Sequence, residues 1–384
     1  MNTGILFRYE FKNERQGIHK VKEFEDKFAE FTGASYAHAV TSGTAALKVA
    51  LAALGIAPGD EVITQGFTFI ATFEAIIEAG AVPIPAEIDD TLNMDPADFE
   101  RKITPKTKCV IPVHMLGSPA RIEEILAIAA RHGIKVIEDT AQALGAELNG
   151  KKVGTLGDMG TFSFDFYKTI TTGEGGMVIT NDRHLYTRSS EYADHGHDHN
   201  PAVGRAMEGR NFLGYNYRMH ELTAAVGLGQ LEKIELILKR QEENQAPIRE
   251  ALEALPGVRM RAVPTSGKDS FTHVCALFPD ADKALAFHKG IVEKGFSAIY
   301  FRNNYWHYVP NWEHLIAKKT AWPGPYPFSG LPYGGNMDYQ EGMLPQSDHI
   351  LGRTIVFPVA LNTPRETLNS LATAIRTVGR DALG

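Results

Sequence analysis

Apolar residues first recur at helical spacing in KVKEFEDKFAEFTG, where Val21, Phe24, Phe28 and Phe31 share a face and Gly33 ends the run. Beyond it, helical and strand-like stretches alternate. The pattern predicts a helix from Thr44, a strand over 61–64, a helix over 72–78 and a strand over 82–88. Asp95-Pro96 reads as an N-cap followed by proline at the first helical position. A strand over 108–114, a helix over 122–132 and a strand over 134–138 come next. Strands alternating with helices imply βαβ units, hence an α/β fold with a mainly parallel sheet and helices on its faces.

Two further strands, over 161–166 and 177–180, flank a glycine-bearing loop. A helical stretch over 221–255 reads as interrupted near Pro247, and we place a domain boundary there. Residues 1–245 form the large unit and residues 246–384 a smaller α+β unit with a strand over 274–278 and a helix over 281–294. The stretch 303–345 is dense in Pro, Gly, Tyr and Trp. Loops of that length in compact domains tend to be functional; a surface excursion is the plainer alternative.

Composition narrows the class. With 384 residues, 43% hydrophobic and 22% charged, the chain has the balance of a globular enzyme subunit, not of a disordered or fibrous protein. A net charge of −7 offers no basic footprint for nucleic acid or an anionic membrane. Cys109 and Cys275 are too few for a disulfide framework and suit a reducing compartment. The start, MNTGILFRYE, lacks the layout of a signal peptide, and no apolar run is long enough to span a membrane. A cytoplasmic protein is expected.

Ligands of open parallel sheets bind beyond the carboxyl ends of the strands, so polar residues just after strand-like runs are the candidates. Ser42-Gly43-Thr44-Ala45-Ala46 lies where such a run enters a helix, a phosphate cradle or simply a cap. Glu138-Asp139-Thr140-Ala141-Gln142 ends the apolar run 134–137; its carboxylates suit a cationic ligand group, or a cap for a following helix. Lys168 follows TFSFDF and precedes TTGEGG. A lone lysine there is ordinarily a solvated charge. An amine beside apolar surface, here Phe162, Phe164, Phe166 and Tyr167, is readily made nucleophilic. Together, cradle, acid and amine match the needs of pyridoxal phosphate, PLP.

In order along the chain, SGTAAL, FTFIAT, IEDTAQALGA, GDMGTFSFDFYKTITTGEGGMVITND and GYNYRMHELTAAVGLGQLEKI resemble the DegT/DnrJ/EryC1/StrS family of sugar aminotransferases, which have the fold type I (aspartate aminotransferase-like) architecture. The resemblance implies that Lys168 binds PLP covalently and that Asp139 pairs with its ring nitrogen. Gln142, taken as lying on the same helix face as Asp139, reaches the phenolic oxygen. Thr44, Ala45 and Ser163 hold the phosphate, and Phe69 stacks on the ring. Asn216 reaches the cofactor of a second chain, so the implied unit is a homodimer with shared sites. The implied partners are glutamate as amino donor and a keto- or aldehyde sugar as acceptor.

Within that family, FRYEF, DHGHDH and NNYWHY resemble the branch whose acceptor is an eight-carbon keto-sugar acid, 3,8-dideoxy-8-oxo-manno-octulosonate, giving 8-amino-Kdo. Arg8, His195 and His307 are then candidates to hold the acceptor's carboxylate. A nucleotide-linked keto-sugar is the alternative acceptor. His195, His197 and His199, spaced for one side of an extended strand, could line substrate, cross a dimer or be plain polar surface; we expect no metal there. Two other functions compete: a sugar dehydratase of this fold, which carries histidine at the position of Lys168, and a PLP-binding regulator without turnover.

Overall fold

The computed structural model describes residues 4–11 and 13–384. Helix α1 (Lys20–Thr32) forms where the phenylalanine stripe predicts it. Val21, Phe24 and Phe28 are buried, and Gly33, at φ 81°, adopts the left-handed cap that returns its N–H to Ala29. Then follow β1 (Tyr36–Val40), α2 (Gly43–Ala53), β2 (Glu61–Gln65), α3 (Ala71–Glu78), β3 (Val82–Ala86), α4 (Pro96–Arg101), β4 (Thr107–Ile111), α5 (Ile122–His132) and β5 (Lys135–Asp139). Two short strands, β6 (Glu147–Leu148) and β7 (Lys151–Lys152), precede β8 (Met159–Ser163), β9 (Gly176–Thr180) and α6 (Arg183–Tyr192).

One sheet orders these strands β1-β9-β8-β5-β4-β2-β3. β3, β2, β4, β5 and β8 pair parallel, while β9 runs antiparallel between β8 and β1. Helix α2 lies against this sheet with Ala45 through Leu51 buried. A helix apolar on nearly every side belongs inside the protein. On the opposite face, Phe24 and Phe28 of α1 meet Phe162 and Phe164 at ring distances of 5.0–5.5 Å. Burying each such ring contributes roughly 1.5–3 kcal/mol. The TFSFDF phenylalanines thus brace α1 against β8, whereas Phe166 and Tyr167 are exposed. The apolar surface beside Lys168 comes instead from Phe69 and the Trp306 ring stacked on it.

Helices α7 (Glu221–Leu231) and α8 (Ile234–Glu253) meet at residues 232–233, so the interruption expected at Pro247 lies earlier. Proline cannot donate to the carbonyl four residues back. The Arg365 guanidinium takes up the carbonyl of Glu243 at 3.4 Å instead, and α8 continues. A second core follows. β10 (Arg259–Met260), β12 (His273–Leu277) and β15 (Thr354–Pro358) form a sheet covered by α8, α9 (Ala281–Glu293) and α12 (Arg365–Leu383). Strand β11 (Gly267–Lys268) joins β6 and β7.

The stretch 303–345 holds a 3-10 turn at Val309–Asn311, α10 (Glu313–Ile316) and the small pair β13 (Ser329–Gly330) and β14 (Gly335–Asn336); α11 (Pro345–Leu351) closes it. It is no loose excursion. Trp312, Phe328 and Tyr339 are buried with Phe73 of α3 in a core of their own. Backbone bonds join Thr68 N–H to the His307 carbonyl (3.0 Å), Ile70 N–H to Trp306 (3.2 Å) and Val309 N–H to Gly66 (3.0 Å). The NNYWHY motif is thereby laid along FTFIAT.

Candidate active site

A cavity of about 370 Å³ opens at the carboxyl ends of β5 and β8, where the start of α2, the loop before α3 and the Lys168 turn converge. Among the residues lining it are Thr44, Phe69, Asp139, Gln142, Ser163 and Lys168.

The cradle forms because Ser42 turns extended and caps α2, its hydroxyl accepting the Ala45 N–H at 3.0 Å. That bond engages the Ala45 amide expected to hold phosphate, and Ala45 does not line the cavity. The helix start offers the Gly43 and Thr44 N–H groups instead. Gly43 is required by space. A Cβ there would stand 2.7 Å from the Ser163 Cβ, so only glycine lets the helix start reach the Ser163 hydroxyl.

Asp139 ends β5, 4% exposed. Its carboxylate accepts the Thr72 hydroxyl at 3.0 Å and the Ala141 N–H at 3.1 Å; Thr72 in turn bonds Thr68 at 2.8 Å. Burial raises its pKa, against the opposing pull of those two bonds and of Lys168 and His114. A buried carboxylate with two neutral donors awaits a cation. Neighbouring Glu138 is differently placed: it accepts His114 at 2.9 Å and the N–H groups of Gly154, Leu156 and Gly157 at 2.7–2.8 Å. No helix follows Asp139. Residues 140–146 form turns, so Gln142 reaches the cavity from a turn and not from the expected helix face, its oxygen accepting the Leu116 N–H at 3.1 Å.

Lys168 is swung over the end of β8 by a turn in which the Asp165 carboxylate accepts the Tyr167 N–H at 2.7 Å. Its side chain is 16% exposed, and the amine stands 3.6 Å from Asp165 and 5.9 Å from the centre of the Phe69 ring. Phe69 lies parallel to Trp306 at 6.1 Å, and His307 follows at 5.4 Å. Burial, then the Lys168 charge, pushes His307 down to about 4, and His273 is lowered to about 3 by burial, Arg261, His307 and Lys168. Both imidazoles are neutral at pH 7.

The other two acceptor candidates lie apart. The Arg8 side chain is nearly buried, bonded to Glu25 at 2.6 Å and to the Ala39 carbonyl at 3.0 Å, so it is not a free donor at this cavity. His195 is exposed, at φ 57°, on a turn outside the cavity. The three histidines do not share an extended strand: His197 pairs with Glu208 at 2.8 Å, and His199 stacks on Tyr9 at 4.7 Å. Asn216 is exposed, away from its own chain's cavity, and bridges to Asp194. Sequence reasoning missed Thr68, Thr72 and Asp165, and named Ser42 and Gly43 only as part of the SGTAA cradle; the threonine spacing within FTFIAT was the available sign for two of the three missed. Among the described residues no group of three metal-binding side chains gathers, and no helix is long and apolar enough to cross a membrane.

Helix-start amides, a buried acid lacking a cation and an amine at the mouth of one cavity fit PLP's phosphate, ring nitrogen and aldehyde. Residues 13–376 match the DegT/DnrJ/EryC1/StrS aminotransferase family. GDP-perosamine synthase of Escherichia coli is 47% identical over 224 residues, 58% of this chain and 60% of that protein's length. Spore coat polysaccharide biosynthesis protein SpsC of Bacillus subtilis is 34% identical, over 94% of this chain and 90% of its own. The X-ray structure of the aminotransferase from Psychrobacter cryohalolentis superposes with a TM-score of 0.82 at 27% identity, covering 96% of this chain and 93% of that one.

Proposed function

This chain belongs to the DegT/DnrJ/EryC1/StrS aminotransferase family, whose members are PLP-dependent sugar aminotransferases, and on that premise we propose that it moves an amino group from glutamate to a keto- or aldehyde sugar. The observation that carries the proposal is the convergence of Lys168, Asp139 and the α2 start on one cavity. PLP, when bound, supplies an electron-withdrawing ring that lets the donor's Cα release a proton. Lys168 Nζ would hold the cofactor, and its released amine would take that proton and return it. Asp139, through its charge, keeps a proton on the ring nitrogen; Thr72 and Ala141 keep the carboxylate oriented. Gln142 would bind the phenolic oxygen, Phe69 would pack on the ring, and the Gly43 and Thr44 amides with Ser163 would hold the phosphate.

Asn216 serves the cofactor of a second copy. What supports this is its outward position, in a region where Met207, Leu213, Tyr215, Leu222 and Val226 are also exposed. Exposed apolar side chains gathered in one region mark an interface.

Two acceptors remain in play. The octulosonate reading retains one of its three carboxylate-holding candidates near this chain's cavity, His307, which packs 5.4 Å from the lining residue Phe69 and offers a hydrogen bond and no charge. The name of the 47% identical relative, a GDP-perosamine synthase, and the engaged Arg8 favour a nucleotide-linked keto-sugar. A direct competition between 8-oxo-octulosonate and nucleotide-linked 4-keto-sugars, read by mass spectrometry of the aminated product, decides. A preference above about tenfold in kcat/KM, worth about 1.4 kcal/mol of transition-state binding, assigns the acceptor. No amination of any keto-sugar would overturn the transferase proposal itself.

A further inference from the structure

FRYEF and DHGHDH find no place at Lys168, yet they meet each other. A second cavity, of about 360 Å³, lies between the N-terminal segment, α1, β1, α6 and the turn after α6; Arg8, Tyr9, His38, Tyr186, Asp198 and His199 line it. His38, on β1, is 1% exposed, and among the described residues neither of its ring nitrogens has a hydrogen-bond partner. The nearest acid, Glu25, stands 3.5 Å from Nδ1 and already accepts the Ala39 N–H at 2.7 Å and Arg8 at 2.6 Å. Burial, then Arg8 and His199, holds the His38 pKa well below 6.5, so the imidazole is neutral, with one donor and one acceptor nitrogen.

The lining selects a ligand class. Arg8 and Lys22 are balanced by Glu25 and Asp198. Arg8 is paired with Glu25, and Lys22 reaches Asp26, so neither is free to capture an anion. Aromatic faces are present: Tyr9 stacks on His199 at 4.7 Å, and Tyr186 stands edge-on to His38 at 6.3 Å. The hydroxyls of Thr187 and Ser190 complete the wall. A neutral imidazole both donates and accepts, as does a hydroxyl group, and flat rings suit the C–H faces of a sugar ring. We propose that this cavity binds one neutral polyhydroxylated ring, a free monosaccharide or cyclitol, at a site distinct from the Lys168 cavity. His38 lies within β1 and Ser42 beyond its end, at the start of α2, and the two cavities share no lining residue. The proposal does not rest on the transfer reaction.

The test uses the full PLP-loaded chain with D-glucose, D-mannose, N-acetyl-D-glucosamine and myo-inositol as probes. Glucose 6-phosphate and glucuronate are their charged counterparts. Saturation-transfer NMR should show millimolar binding of at least one neutral ring, weakened at least tenfold by His38→Phe, with transamination unchanged. In the unaltered protein, imidazole ¹⁵N resonances should record the same titration, a reading that stands if the variant fails to fold. Three results overturn the proposal: no neutral ring moves a histidine resonance, leaving the cavity to water alone; binding survives His38→Phe intact; or the charged counterparts bind more tightly.

Discussion

Asp139→Asn should stabilise the chain free of cofactor and weaken its hold on PLP. The carboxylate is buried, has two neutral donors, and its pKa is raised by burial. A folded pKa above the unfolded one means the unfolded chain holds fewer protons in between. The carboxylate therefore costs nothing below about pH 3.9. Its cost grows as pH rises toward the folded value and is complete above it. Asparagine keeps the shape and an acceptor oxygen without that cost. Relief of a poorly compensated buried charge is worth about 1–3 kcal/mol. For a chain of this length, with an unfolding entropy of roughly 0.8 kcal/mol/K, that raises Tm by about 1–4 °C at pH 7.5. With PLP present the sign inverts. Losing one partner of a buried ion pair costs about 3–5 kcal/mol, which is at least about a hundredfold in affinity. Melts with and without PLP, and a fluorescence titration for Kd, measure both effects. An asparagine variant that melts lower without cofactor, or that gains as much from PLP as the wild type does, would refute the electrostatic argument.

Lys168→Ala should abolish the borohydride-reducible cofactor adduct and nearly all turnover while far-UV circular dichroism stays unchanged; an adduct that persists assigns another lysine. Gly43→Ala places a Cβ 2.7 Å from that of Ser163, so PLP affinity should fall at least tenfold, measured by cofactor titration, and an unaltered Kd removes the α2 start from the phosphate site. Mixing inactive Lys168→Ala with inactive Asn216→Ala chains should recover activity through hybrids; none, despite proven exchange, confines each site to one chain. His307, lowered to about 4, binds fewer protons folded than unfolded. Its contribution to stability is therefore lost as pH falls from about 6.5 toward 4, and His307→Gln should flatten that part of the Tm–pH curve.

Helices α1 and α5 were legible because each has a single apolar stripe and a glycine at its end, Gly33 or Gly133. The break between α7 and α8 was not, because the signal read for it, Pro247, is compensated by Arg365, a residue more than a hundred positions away. The positions of Lys168 and Asp139 follow from strand ends and motif order. Thr72 escaped notice because a threonine in the first turn of a helix looks like ordinary helix surface until Asp139 is folded against it. Arg8 was misplaced for the same kind of reason. Its acid, Glu25, sits among the buried residues of α1, and no local pattern announces a carboxylate turned inward there.

The segment 303–345 shares a hydrophobic centre with Phe73 of α3 and is pinned beside the Lys168 cavity by backbone bonds of 306–309 against 66–70. Backbone pairing is indifferent to which side chains it carries. The outer part of the aromatic wall beside the amine is therefore exchangeable: Tyr305 and Trp306, both exposed, can be rewritten while buried Tyr308 anchors the segment and Lys168, Asp139 and the α2 start stay in register. An enzyme built this way can change customers without retooling its chemistry, and chimaeras cut at the ends of this segment are the natural units for doing so deliberately.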